Sequence, residues 1–221
     1  MTYTYLQLVN MVLRRLRETE ASTVQGTGRN NSYPRLIGDF INEAKAQVEA
    51  AWDWSALRNT MTVTTSADVF NYTLTGSGNK FEVLNVMNDT DNWFMEYRDS
   101  TWFDSRFRLN ELVKGSPAYY NFNGVNSSGD TQVDVWPIPD KAYDLRFNVI
   151  KRTTELAADT DLLYIPHRPV MLLATAMAIE ERGEDGAEQS MNAYAAAKSA
   201  LSDEIALDAA RHPEELIWRE V

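Results

Sequence analysis

Four carboxylates crowd one short stretch of the chain: Glu180, Glu181, Glu184 and Asp185. Paired carboxylates are the machinery of glycoside hydrolysis, one acting as acid and the other as base or nucleophile. Here they fall at a turn between two helical patterns, where acids stay solvated and nothing buries one to raise its pKa. A hydrolase reading would need turnover that is lost when Glu181 or Glu184 is changed. Gly26-Thr27-Gly28 has no preceding strand and no third glycine, so it is not a dinucleotide fingerprint. No phosphate-loop or nucleophile-elbow motif occurs. His167 sits between prolines at a helix start, which suits a structural role. Neither it nor the other histidine, His212, lies near a pattern that suggests a metal triad. Asn88-Asp89-Thr90-Asp91-Asn92 has the acids of a calcium loop but lacks its glycine and its late glutamate, and reads better as a turn between strands. The residues therefore predict no catalytic centre, no cofactor and no metal site.

The elements around these residues divide the chain in three. Thr4 and Gln7 fit a capping box, and Leu6, Val9, Leu13 and Leu16 follow at helical spacing over 4–18. A polar loop at 21–32 leads to a second helix over 33–54. Ser32 is placed to cap it, and Ile37, Ile41, Ala44, Val48 and Ala51 form its stripe. From Asn59 the period changes to two. Strand-like runs fall at 61–65, 70–74, 80–87, 92–97, 118–122, 131–136 and 143–151, with Gly76–Asn79 as a hairpin turn. Segment 99–112 reads as a short helix or a loop. Helical spacing returns at 166–182, with Val170, Leu173, Ala174, Met177 and Ala178 as its buried face, and at 186–210, with Met191, Tyr194, Ala197, Leu201 and Ile205.

Neither helical end can bury its apolar stripe alone, so the two ends should pack together. The predicted fold is α+β: a four-helix bundle from residues 1–57 and 165–210, with an antiparallel β-sandwich or barrel inserted at 58–164. Residues 211–221 form a tail beyond His212-Pro213. In that tail Leu216, Ile217 and Trp218 are adjacent apolar residues set among charges. Trp218 either folds back on its own bundle or docks on another chain, and docking is favoured because tryptophan is a frequent interface anchor.

Charge narrows the partners. The net charge is −11, which disfavours generic DNA binding through phosphate neutralisation. From Glu180 onward eleven acids face four bases, while residues 1–58 are close to neutral. This acidic stretch is either a solvated helix face or a surface meant for a basic partner or passing nucleic acid. The absence of cysteine leaves no disulfide and no thiolate zinc site, as in a reducing compartment. MTYTYLQLVN has no basic region before an apolar core, so no signal peptide is expected. The apolar run VMLLATAMAI at 170–179 is too short to span a bilayer.

Two stretches carry a family likeness. DFINEAKAQVEAAWDWSALRNTMTVTT in the second helix, and YIPHRPVMLLATAMAIEERGEDGAEQSMNAYAAAKSALSDEI in the closing helical hairpin, resemble the head–tail adaptors of tailed phages. The likeness is to the podovirus type related to tail tubular protein A. It covers both helical ends, while the β-rich middle matches only in size and character. The resemblance implies a non-enzymatic virion protein, made in the host cytoplasm and placed at the head–tail junction. It implies a ring of twelve copies between the portal protein and the tail tube or nozzle protein, with DNA crossing the lumen, no sequence-specific DNA contact and no membrane. Carried over, the tail from Arg211 reaches the portal through Leu216, Ile217 and Trp218. A DNA conduit should hold its cargo weakly, so acids of the last helix, Asp203, Glu204 and Asp208, are predicted to line the lumen. The free subunit is expected to be largely monomeric. The competing reading is a carbohydrate- or receptor-binding module that uses the β insert's Trp93, Phe94, Trp102, Phe103, Tyr119, Tyr120 and Trp136.

Overall fold

The computed structural model describes residues 2–26, 32–109, 111–183 and 188–211. The chain is α+β and divides into two compact units, one of residues 1–57 and 153–221 and the other of 58–152. Residues 153–164, which the sequence reading places in the β insert, belong with the helices. They are fastened there by side chains: Asn42 exchanges two hydrogen bonds with the Leu156 backbone, and Lys45 donates to the carbonyls of Thr153 and Thr154.

In the helical unit, α1 (Tyr5–Arg15) starts at the predicted capping box. Thr4 Oγ1 accepts from the Gln7 amide and the Gln7 side chain accepts from the Thr4 amide. Its buried face is Tyr5, Leu8, Val9, Val12 and Leu13, wider than the predicted stripe, and Leu6 and Leu16 are only half-buried. The reason is that α1 packs against both α2 (Ser32–Ala51) and α4 (His167–Arg182). Full burial of each Leu or Val of that face contributes roughly 1.5–3 kcal/mol relative to exposure. Strand β1 (Tyr3–Thr4) pairs antiparallel with β10 (Leu162–Leu163), tying the start of the chain to the approach to α4. Asp159 adds to the tie by accepting from the Val24 amide.

Helix α4 is the centre of its unit, touching α1, α2 and α5 (Glu188–Ala209). Its buried residues, from Pro169 to Ala178, point in several directions, and Ala174, Ala176 and Ala178 leave room for close neighbours. Leu173 and Met177 are half-buried rather than buried. It ends at Gly183, whose left-handed backbone (φ 61°) lets its amide reach the carbonyls of Ile179 and Glu180. Near that end Arg182 donates to Tyr33 and Glu18, which ties α4 to α2 and the segment after α1. No described helix is long and apolar enough to cross a membrane.

In the β unit, one sheet has the order β2 (Arg58–Thr64), β9 (Asp144–Lys151), β4 (Phe81–Asn88), β5 (Trp93–Phe94), all antiparallel. The other has the order β3 (Asn71–Thr73), β8 (Thr131–Trp136), β7 (Tyr119–Val125), β6 (Glu96–Tyr97). The β6–β7 pair is parallel, an exception to the predicted antiparallel pattern. The two sheets share one core of Leu74, Val86, Met95, Tyr120, Val133, Val135, Tyr143, Leu145, Phe147 and Val149, and no barrel closes among the described residues.

Two expectations fail here for related reasons. Gly76–Asn79 is not a hairpin turn, because β3 and β4 lie in different sheets. The turn is held instead by the 130–131 loop: the Gly78 amide donates to Asp130, and the Gly78 carbonyl accepts from Thr131. The predicted strand 92–97 is likewise two strands in two sheets, separated at buried Met95. Segment 99–112 contains a short helix, α3 (Ser100–Asp104), capped by Asp99, followed by a π-helical turn at Ser105–Leu109. Asn88–Asn92 is a turn between β4 and β5: Asn88 Oδ1 accepts from the amides of Thr90 and Asp91.

Candidate functional site

The last turns of α5 form the candidate site, since the chain passes from there toward the predicted docking tail. Helix α5 keeps most of the predicted stripe: Ala197 is buried, and Tyr194, Leu201 and Ile205 are half-buried. Its buried residues are Ser190, Ala197, Ala200 and Asp208, while Met191 is 70% exposed. Alanines lie on every side of α5, so apolar spacing gives it little direction. Two polar residues, Ser190 and Asp208, extend the inward face at its two ends.

The three acids predicted to line a lumen are not equivalent. Asp203 is exposed and Glu204 half-buried. Asp208 is only 9% exposed, and its carboxylate accepts from the Trp52 indole, the Ser55 amide and the Ser55 hydroxyl. It ties α5 to the end of α2 inside one subunit. Burial alone would raise its pKa, but the Ser55 and Trp52 hydrogen bonds, with help from Arg211, hold the carboxyl below its usual value. A depressed folded pKa stabilises fully above the unfolded value of about 3.9 and is lost as pH falls through the folded one. The stability gap between the unmodified chain and Asp208→Asn is therefore expected to be constant near neutrality and to shrink below about pH 4. Denaturant melts at pH 7 and pH 3 measure it, and an equal gap at both would refute the assignment.

Beside Asp208 lies a groove of about 500 Å³, lined by Trp54, Tyr164, His167, Glu204, Leu207 and Arg211 among others. Tyr164 and Leu207 are exposed at 57% and 66%. Trp54 is fully buried, and its indole donates to the Val48 carbonyl at 2.7 Å. His167 stacks on Tyr3 with ring centroids 4.2 Å apart. Burial holds its pKa below the ordinary value, against the opposing pull of Glu204. The groove is thus an apolar trough with a charged rim beside the last turn of α5.

The remaining predicted residues are scattered. Glu180 is exposed and accepts from the Tyr194 hydroxyl at 2.6 Å, and Glu181 is exposed too. Glu184, Asp185, Gly28, His212 and the anchors Leu216, Ile217 and Trp218 lie outside the described residues. No group of three metal-binding side chains occurs among the described residues. Of the β-unit aromatics, Phe103, Tyr120 and Trp136 are buried in cores, and Trp102 packs on Tyr119 at 4.9 Å. Trp93 and Phe94, on the edge strand β5, are exposed.

A family model described as SU10 adaptor protein matches residues 3–216. The chain belongs to the SU10 adaptor protein family. It is a phage adaptor protein and a component of the virion. The match runs through both helical segments and the whole β unit, so the family covers the β-rich middle that resembled an adaptor only in size and character. No curated protein matches the chain. The fastened Asp208 is a strut within the subunit, holding α5 to the end of α2.

Sequence reasoning missed the buried ion pair of α2. Lys45 and Glu49 are both buried and 3.2 Å apart. A signal was present: they lie four apart, one residue beyond Ala44 and Val48, and so widen the apolar stripe rather than face solvent.

Proposed function

We propose that this chain is the head–tail adaptor of a podovirus-type particle, related to tail tubular protein A. Twelve copies form a ring between the portal protein and the tail tube or nozzle, and DNA passes through the lumen without sequence-specific contact. The role is structural, with no catalysis. The observation that carries the reading is the family match over residues 3–216.

The physical chemistry supports it in two ways. A conduit should hold its cargo weakly, and the charge of −11 limits phosphate contacts. Of the proposed lumen acids, Asp203 and Glu204 remain available, while Asp208 is taken up inside the subunit. The tail supplies the portal contact, with Leu216, Ile217 and Trp218 as anchors. Such a ring needs heterologous contacts whose rotation closes.

The test mixes the full chain with purified portal and follows assembly by light scattering and electron microscopy. The chain alone is expected to be monomeric and to form twelve-membered rings on the portal. Removal of a tryptophan anchor typically costs ~2 kcal/mol or more, so Trp218→Ala should weaken portal binding by about 30-fold. Unchanged binding after deletion of residues 212–221 would refute the tail assignment. A stable ring without portal, or a strongly basic channel, would refute the assembly scheme.

A further inference from the structure

The sheet β3–β8–β7–β6 has two faces with different chemistry. Tyr72, Tyr120, Phe122, Val133 and Val135 pack in or against the shared core. Strand alternation puts Asn71, Asn121, Asn123 and Asp134 on the opposite face. Part of that face is covered by α3 and the π-helical turn, where Phe103 joins Trp136 and Ile138 in a second small core. Next to this cover lies a cleft of about 560 Å³, within the ~300–1,000 Å³ range of small-molecule sites.

The floor of the cleft is polar and fixed. Asp134 Oδ1 accepts from Asn71 Nδ2 at 2.6 Å, and Oδ2 accepts from Asn123 Nδ2 at 3.0 Å. The carboxylate is thus held at both oxygens, and each oxygen keeps acceptor capacity. Asn121 lines the same cleft and is only 5% exposed. No hydrogen bond engages its side-chain amide among the described residues, and the amide is not sealed off, so its two donors and one acceptor are open to the cleft. One wall is aromatic: Phe70 and Phe107 pack with centroids 4.6 Å apart.

We propose that this cleft binds a neutral sugar ring. An amide offers two donors and one acceptor, and beside it stands a carboxylate that only accepts. Neighbouring hydroxyls of a pyranose donate and accept at once, so they satisfy both groups together. The C–H face of the ring suits the Phe70–Phe107 wall. Charge argues against an anion: the cleft has a carboxylate at its floor, and Arg108 on the rim is paired with Asp104 at 3.6 Å. An extended peptide is favoured by a free strand edge, whereas this floor is the face of a sheet. The site is independent of ring assembly, so it stands or falls apart from the adaptor reading.

The experiment uses the full ¹⁵N-labelled chain and follows the Asn121 side-chain amide signal, identified by its loss in Asn121→Leu. The probes are the methyl glycosides of glucose, galactose, mannose and N-acetylglucosamine, each taken into the tens of millimolar, and then oligosaccharides of any sugar that binds. A saturable shift with at least one glycoside is expected, with binding at least tenfold weaker in Asn121→Leu and in Phe70→Ala. An oligosaccharide that binds about tenfold tighter than its monomer marks a surface polysaccharide as the source, and equal affinity marks the free sugar. No saturable shift with any glycoside would overturn the proposal. So would a response to short peptides only, or unchanged affinity in Phe70→Ala, a variant that also serves should Asn121→Leu fail to fold.

Discussion

Lys45→Met is expected to lower the stability of the helical unit by about 3–5 kcal/mol, the usual cost of breaking a buried pair by removing one partner. Lys45 lies inside the unit, where its ammonium meets Glu49 at 3.2 Å and donates to the Thr153 and Thr154 carbonyls at 3.0 Å each. Glu49 also accepts from the Thr153 hydroxyl at 2.6 Å. Methionine fills much the same space, so packing is largely kept. What remains is a carboxylate without its cation and two carbonyls without their donor. For a chain of this size ~1 kcal/mol moves the melting temperature by roughly 2–4 °C, so a fall of roughly 6–20 °C is expected. The paired change Lys45→Met with Glu49→Leu should recover most of the loss, because an apolar pair avoids the desolvation of both charges. Calorimetry checks this, since the two units are compact separately. A helical-unit transition that stays within about 2 °C of the original would sink the claim.

Gly38→Ala is the second large effect, and its direction is counterintuitive. In a helix interior, glycine to alanine ordinarily stabilises by roughly 1 kcal/mol. Here a Cβ would stand 2.2 Å from the Tyr5 hydroxyl and 3.0 Å from its ring carbon, with Val24 at 3.1 Å. Tyr5 is 3% exposed, so it has little room to withdraw. Overpacking of this kind costs typically ~1–3 kcal/mol, and the clash should outweigh the gain in propensity. Tyr5→Phe removes the atom that is struck first. The double variant should therefore be more stable than Gly38→Ala alone, and the coupling is read from a double-mutant cycle by urea denaturation. Additive effects would place the cost somewhere other than this contact.

The helices were legible because their signals are local. Thr4 with Gln7 acts within a few residues, and that capping box stands where the sequence puts it. The inward role of Asp208 on α5 was not legible, since it meets Trp52 and Ser55 more than a hundred and fifty residues away. Strand positions could be read from period two, as in Leu145, Phe147 and Val149. Sheet membership could not, because Gly76–Asn79 looks like a hairpin turn in sequence yet changes sheets through bonds to Asp130 and Thr131. Of the sites, the acids of α5 were visible and the polar cleft was not. Asn71, Asn121, Asn123 and Asp134 each look like ordinary outward strand positions until the pairing of β3, β8 and β7 sets them side by side.

The β unit begins on β2 and ends on β9, and these two strands pair from Arg58↔Ile150 to Thr64↔Asp144. The unit's other end lies two residues past Ile150, so both severed ends of an excised β unit would lie about 8 Å apart. A couple of residues could bridge that gap, and a foreign module with neighbouring termini could be spliced into it. Such a junction lets one lineage exchange its middle wholesale while the helical halves keep their shape, so the gene can diversify by cassette rather than by point change.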